Sequence, residues 1–315
     1  MAPHRMDPQT ARPPISLIAA NLICMVSMMI WAAGLPAADV VIPLLPLEQL
    51  NALRMGLAAA ALVPFWALTE GFGPLMAVNW RRGLAVGSLI GLGAWFLIQG
   101  QARGGAVTAA VISASLPVVG IALEVALDGR KLTLALILGL ILSLIGGVLA
   151  LDLSGGGMSL GLGALLCFGS VLTFALGSRL TVSAFPNETP LGRTAVTLTG
   201  AAVAALTLAG VQYLAGHPAP DFTAWHAKEI GAILLFSVGA LGVAQVMFIM
   251  AVGRLGIGLS SLHINAAPFY VMLILFALGG TWSWFQAGAA AVVGLGVLIA
   301  QGIIPLPFGP PHAQI

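Results

Sequence analysis

The sequence predicts an all-α membrane protein of ten transmembrane helices in two inverted five-helix repeats. Three observations predict it. The 315 residues are 59% hydrophobic and only 7% charged, too few charges to cover the surface of a soluble domain of this size. Cutting the chain at charged, proline and glycine clusters leaves ten apolar segments, each near the roughly 20 residues that a spanning helix needs. The stretch QARGGAVTAAVISASLP, residues 101–117, returns 151 positions later as VGRLGIGLSSLHINAAP, so that Arg103 falls on Arg254, Gly105 on Gly256 and Pro117 on Pro268.

The polar N-terminal tail, residues 1–14, carries Arg5 and Arg12. The apolar run that follows is longer than a signal-peptide core and has an internal copy, so a retained span is expected there. The expected spans are 15–37, 46–69, 81–101, 105–127 and 132–151 in a first repeat, 15–151, and 159–180, 189–214, 229–251, 255–278 and 284–303 in a second, 159–303. A linker, 152–158, joins them, and a proline-broken C-terminal tail, 304–315, ends the chain.

Basic residues set the orientation, because cytoplasmic loops hold the excess of Lys and Arg. With the N-terminus inside, Arg5, Arg12, Arg81, Arg82, Arg130, Lys131, Arg179, Arg193 and Arg254 reach the cytoplasmic side, whereas Arg54, Arg103 and Lys228 reach the other. Both termini are therefore expected in the cytoplasm of a bacterial-type inner membrane. The net charge of +2 is spread over loops, which argues against a nucleic-acid partner.

The duplication extends over the whole chain. Residues 16–35 align 143 positions later, pairing Ser16 with Ser159, Cys24 with Cys167, Ser27 with Ser170 and Gly34 with Gly177. Arg54 pairs with Arg193, and Gly147-Val148-Leu149 with Gly296-Val297-Leu298. Five is odd, so the second copy enters the membrane from the opposite side. The halves are then related by a pseudo-two-fold axis in the membrane plane, as in many secondary transporters.

A five-plus-five duplication, an Arg early in the second span of each half, and a small-residue helix with a central Pro before a Gly-rich fifth helix resemble the drug/metabolite transporter superfamily, in its EamA-type branch. The likeness covers about residues 15–303. One departure stands out: the acidic-then-basic pair that usually follows the fourth and ninth spans is approximated by Asp128, Arg130 and Lys131, while Gly279, Gly280 and Thr281 lack it. Within the branch the chain looks most like YddG-type aromatic amino-acid exporters. The resemblance implies export of small organic metabolites, with aromatic or bulky apolar amino acids as the narrower expectation and hydrophobic cations as the alternative within the same fold.

Pro117 and Pro268 sit inside apolar spans, where each removes a backbone hydrogen bond, and they are expected to act as paired kinks. Gly83, Gly87 and Gly91 on the third span, and Gly139, Ser143 and Gly147 on the fifth, form small-residue faces for close helix packing. The fifth and tenth spans are also where a homodimer contact would form.

Polar and aromatic side chains at membrane depth are the substrate-binding candidates, because an unpaired polar group there is costly and tends to face a cavity. The ninth span contributes His263, Asn265 and Tyr270, the fourth Ser115, the eighth Gln245 and the third Trp95. Trp31 and its repeat mate Phe174 supply an aromatic pair for a flat ligand. A Trp near a helix end also serves as an interfacial anchor, and a buried His also serves helix packing. Arg54 and Arg193 either snorkel to the interface or hold carboxylates or lipid phosphates near the gates. In this reading Trp31, Trp95, Phe174 and Tyr270 contact the side chain of an amino acid, and Ser115, Gln245, His263 and Asn265 satisfy its charged ends.

Catalysis is not expected. The sequence has no HExxH, no GxxxxGK[ST] and no pair of membrane-depth aspartates, so neither a cofactor nor a metal is implied, and a membrane-embedded lipid enzyme is a remote alternative. Cys24 and Cys167 occupy equivalent apolar positions and read as small buried residues. His263 is the one well-placed titrating group, so proton coupling and facilitated diffusion both stay open.

Overall fold

A computed structural model of the chain describes residues 15–150, 161–223 and 225–305. The N-terminal tail, the linker 152–158 and the C-terminal tail beyond residue 305 lie outside the described residues. Every regular element among the described residues is helical. Among the described residues six stretches are long and apolar enough to cross a membrane, and two further apolar helices are shorter, so this is a multi-pass membrane protein.

Helix α1 (Leu17–Val41) starts where the Ser16 hydroxyl accepts a hydrogen bond from Ala19 N at 3.1 Å, satisfying one of the donors a helix start leaves open. Helix α2 (Leu47–Glu70) ends at Gly71, whose φ of 84° suits a residue without Cβ. A short α3 (Phe72–Ala77) leads into α4 (Trp80–Ser113), α5 (Leu116–Asp128) and α6 (Leu134–Ala150). After the linker come α7 (Leu162–Ser183) and α8 (Pro190–Leu214), the latter capped by Thr189 accepting from Gly192 N at 3.0 Å. Helix α9 (Ala227–Leu234) runs through a π-helical stretch, Leu235–Val243, into α10 (Ala244–Ser261), then a 3-10 turn, Leu262–Ala266, α11 (Ala267–Ala277) and α12 (Trp284–Ala300).

One of these stretches is too long for one crossing. From Ala227 to Ala266 is 40 residues, about 60 Å of straight helix, and it is broken at Gly256, where φ is 82° and ψ 167°.

The two prolines do not kink continuous helices as expected. α4 stops at Ser113 and α5 starts at Leu116, so Pro117 is the second residue of a new helix. Its repeat mate Pro268, described for its backbone position alone, is likewise the second residue of α11. A proline there gives up an N–H that the first turn leaves unpaired anyway, so the break precedes each proline. The starts of α5 and α11 are 151 residues apart, the same offset as the sequence repeat.

Glycines set the closest helix contacts. A Cβ on Gly87 would lie 2.1 Å from the Thr197 carbonyl oxygen of α8, and one on Gly91 3.0 Å from the Ala201 carbonyl. Gly139 of α6 and Gly296 of α12 each face the other's carbonyl, at 2.4 and 2.6 Å from the built Cβ. The small-residue faces of the fifth and tenth spans thus meet inside the chain. The outer faces of the same two helices keep Ile137, Ile141, Leu295 and Leu298 exposed.

Charged groups hold one end together. The Glu124 carboxylate pairs with Arg130 and accepts from Gly258 N at 3.0 Å, joining α5 to the restart of helix after Gly256. Asp128 pairs with Arg179 of α7.

Candidate functional site

The helices surround a cavity of about 120 Å³. Its wall is built in pairs. Ser27, Met28 and Trp31 of α1 face it together with Ser170, Val171 and Phe174 of α7, each 143 residues on. Ile90, Gly93, Ala94 and Leu97 of α4 face it together with Leu241, Ala244, Gln245 and Phe248, each 151 residues on, as does Ser113 with Ile264. Equivalent positions of the two sequence copies thus line one space.

The aromatic part of the wall is Trp31, Phe174 and Phe248, with the Phe174 and Phe248 rings stacked at 6.1 Å and 27°. The π-helical stretch contributes Ala240 and Leu241. Such stretches carry an extra residue per turn and recur at functional sites.

Polar groups on the wall differ in whether they are already satisfied. The Ser27 hydroxyl donates to the Ala244 carbonyl at 2.6 Å. The Gln245 side-chain Nε2 is buried without a hydrogen-bond partner. Arg54 is 8% exposed, lines the cavity, and has its guanidinium 4.4 Å from the centre of the Phe236 ring. Its Nε has no hydrogen-bond partner, and the ion pairs among the described residues, Arg130–Glu124 and Arg179–Asp128, do not include it.

Arg54 is therefore turned into the cavity. Its repeat mate Arg193 has a different fate: Nε donates to the Phe185 carbonyl at 2.8 Å and Nη2 to the Pro186 carbonyl at 2.9 Å. That side chain ties down the loop before α8 and does not line the cavity.

Of the eight substrate-binding candidates, the structure brings Trp31, Phe174 and Gln245 together on the cavity wall. The other five lie off it, each for a local reason. Trp95 is flanked by Gly93, Ala94 and Leu97, which face the cavity; at 100° per residue its own direction is the opposite one, and its ring lies against Phe96. Ser115 bonds the Ile112 carbonyl at 2.6 Å across the helix break. His263 is buried with Nδ1 3.2 Å from the Ser260 carbonyl, and Asn265 donates to Ser143 Oγ of α6 at 3.0 Å. Tyr270 belongs to the apolar core around Cys24 and Leu262. Sequence reasoning missed Met28, Met55, Leu116 and Phe248 as lining residues; the repeat offset applied to Leu97 would have found Phe248.

Comparison with solved structures finds similar folds. One crystal structure aligns over 92% of this chain and 98% of its own, with a TM-score of 0.74 and 20% identity, a likeness of fold. No curated protein matches the chain. Residues 18–151 match the EamA-like transporter family, which supports a place in the drug/metabolite transporter superfamily and, with it, a membrane transporter of small molecules.

Proposed function

We propose that the chain is a secondary transporter with ten spans in two inverted five-helix repeats, moving small organic metabolites by alternating access through the central cavity. The observation that carries this reading is the paired wall: positions 143 or 151 residues apart line one space, as expected of a site at the interface of inverted repeats. Paired walls suit a protein that opens first to one side and then to the other, because each half supplies the same rocking elements in opposite orientation. Placement in a bacterial-type inner membrane with both termini inside accords with the distribution of Lys and Arg, and export is what the resemblance to exporters implies.

Aromatic or bulky apolar amino acids fit this wall best. Trp31, Phe174 and Phe248 offer ring contacts, and Met28, Met55 and Leu116 fill the rest. A hydrophobic cation would meet the like charge of Arg54 in a medium that screens it poorly. Uptake of labelled phenylalanine and leucine into proteoliposomes, with and without a pH gradient, tests the proposal. Accumulation or counterflow of either is expected, and no flux across a panel of the common amino acids would overturn it.

A further inference from the structure

The proposed transport reading leaves one charge on the cavity wall without a counterpart, and the following rests on that reading. Arg54 lies on the second turn of α2, 8% exposed, with the Phe236 ring beneath it. A buried guanidinium normally has a carboxylate or several carbonyls around it, since an unpaired buried charge is costly. Arg193, the same residue in the other repeat, has two carbonyls. Arg54 has none among the described residues, and it faces the cavity. Among the described residues no Asp or Glu lines that space, and the neighbouring amide of Gln245 has a buried donor without a partner.

We infer that Arg54 anchors the carboxylate of the substrate, with Gln245 as a second donor, so that the site reads an apolar or aromatic monocarboxylate by its anionic end. The guanidinium presents a planar fork that matches a carboxylate with two parallel hydrogen bonds. Phe236 holds the plane by a cation–π contact. The rings of Trp31, Phe174 and Phe248 receive the apolar body. Among the described residues of the wall, none is acidic and able to receive an ammonium group. An amino acid is therefore one member of a wider class, and its ammonium is not needed for recognition.

Four ligands of one skeleton separate the possibilities: phenylalanine, 3-phenylpropionate, phenylalanine methyl ester and phenethylamine, each titrated against purified protein by tryptophan fluorescence and thermal shift. The acid without an ammonium, 3-phenylpropionate, is expected to bind at least as tightly as phenylalanine. The ester and the amine, which lack a carboxylate, should bind at least about tenfold more weakly, the loss typical of a charged hydrogen bond. Arg54→Gln should remove the preference for the acids, and Arg54→Lys should retain part of it. The inference is overturned if the amine or ester binds as tightly as the acids, if Arg54→Gln keeps wild-type affinity for 3-phenylpropionate, or if neither acid binds. The wild-type ligand series needs no variant to fold. Arg54-dependent binding of the acids without flux in proteoliposomes would leave the anchor standing and sink the transport reading; flux indifferent to the carboxylate would do the reverse.

Discussion

Gly256→Ala is expected to be among the most damaging single-methyl changes in the chain, for two independent reasons. At φ 82° and ψ 167° the residue occupies a region essentially reserved for glycine, and forcing another residue there costs about 1–3 kcal/mol. The added Cβ would also lie 2.2 Å from Glu124 Oε1 and 3.1 Å from its carboxyl carbon. That carboxylate cannot swing away without giving up Arg130 and the Gly258 N–H, so overpacking adds about 1–3 kcal/mol. The sum is about 2–6 kcal/mol. Gly253→Ala is the control on the same helix, since its Cβ would meet nothing nearer than Arg193 Nη1 at 3.7 Å and alanine favours helix by up to about 1 kcal/mol. Thermal unfolding of both variants in mild detergent decides the matter. A double change with Glu124→Ala should recover the steric part and leave the backbone part. If Gly256→Ala melts with Gly253→Ala, the break at Gly256 is not where the eighth span turns into the ninth.

Gly87→Ala should lower the melting temperature by the equivalent of about 1–3 kcal/mol, because its Cβ would sit 2.1 Å from the Thr197 carbonyl, while Gly210→Ala, with open space around it, should not; equal melting would mean that α4 and α8 do not touch there. Trp31→Ala and Phe174→Ala should each raise the half-saturating concentration for phenylalanine about 2- to 12-fold, from ring contacts of about 0.5–1.5 kcal/mol, and should affect leucine less. His263→Ala should leave the pH profile of transport between pH 6 and 8 unchanged, since the imidazole bonds the Ser260 carbonyl away from the cavity; a displaced profile would return it to the site. The hydrogen bond from Arg179 holds the Asp128 carboxyl below its ordinary value of 3.8. Its contribution is thus complete above that value and fades as pH falls through the depressed one, so the small melting deficit of Asp128→Asn should be present at pH 7, shrink below about pH 4, and diminish with salt.

Periodicity and duplication carried much of the fold in the sequence. The break before each proline was visible as a repeated Pro, although not as a break, because a helix interrupted one residue earlier has the same hydropathy as a kinked one. Composition likewise identified Gly83, Gly87 and Gly91 as a packing face. It could not say that Gly139 and Gly296 pack on each other within the chain, since a small-residue face looks the same whether its partner is the same chain or a second copy.

The site was less legible, because polarity at membrane depth has two causes that sequence does not separate. Asn265 and His263 are polar and deep, and each bonds a neighbour, Ser143 Oγ or the Ser260 carbonyl, although Asn265 Oδ1 is left without a partner. Arg54 and Gln245 are also polar and deep, yet each keeps a buried donor that no neighbour accepts from. The alignment makes Arg54 and Arg193 equivalent. One sits after a loop whose carbonyls of Phe185 and Pro186 reach back to it; the other follows Pro46 and a helix start that offer nothing comparable, and the π-helical stretch opposite brings Phe236 beneath it. Two repeats that begin with the same arginine need only one loop to change its course for one guanidinium to become a fastener and the other to be left facing the cavity.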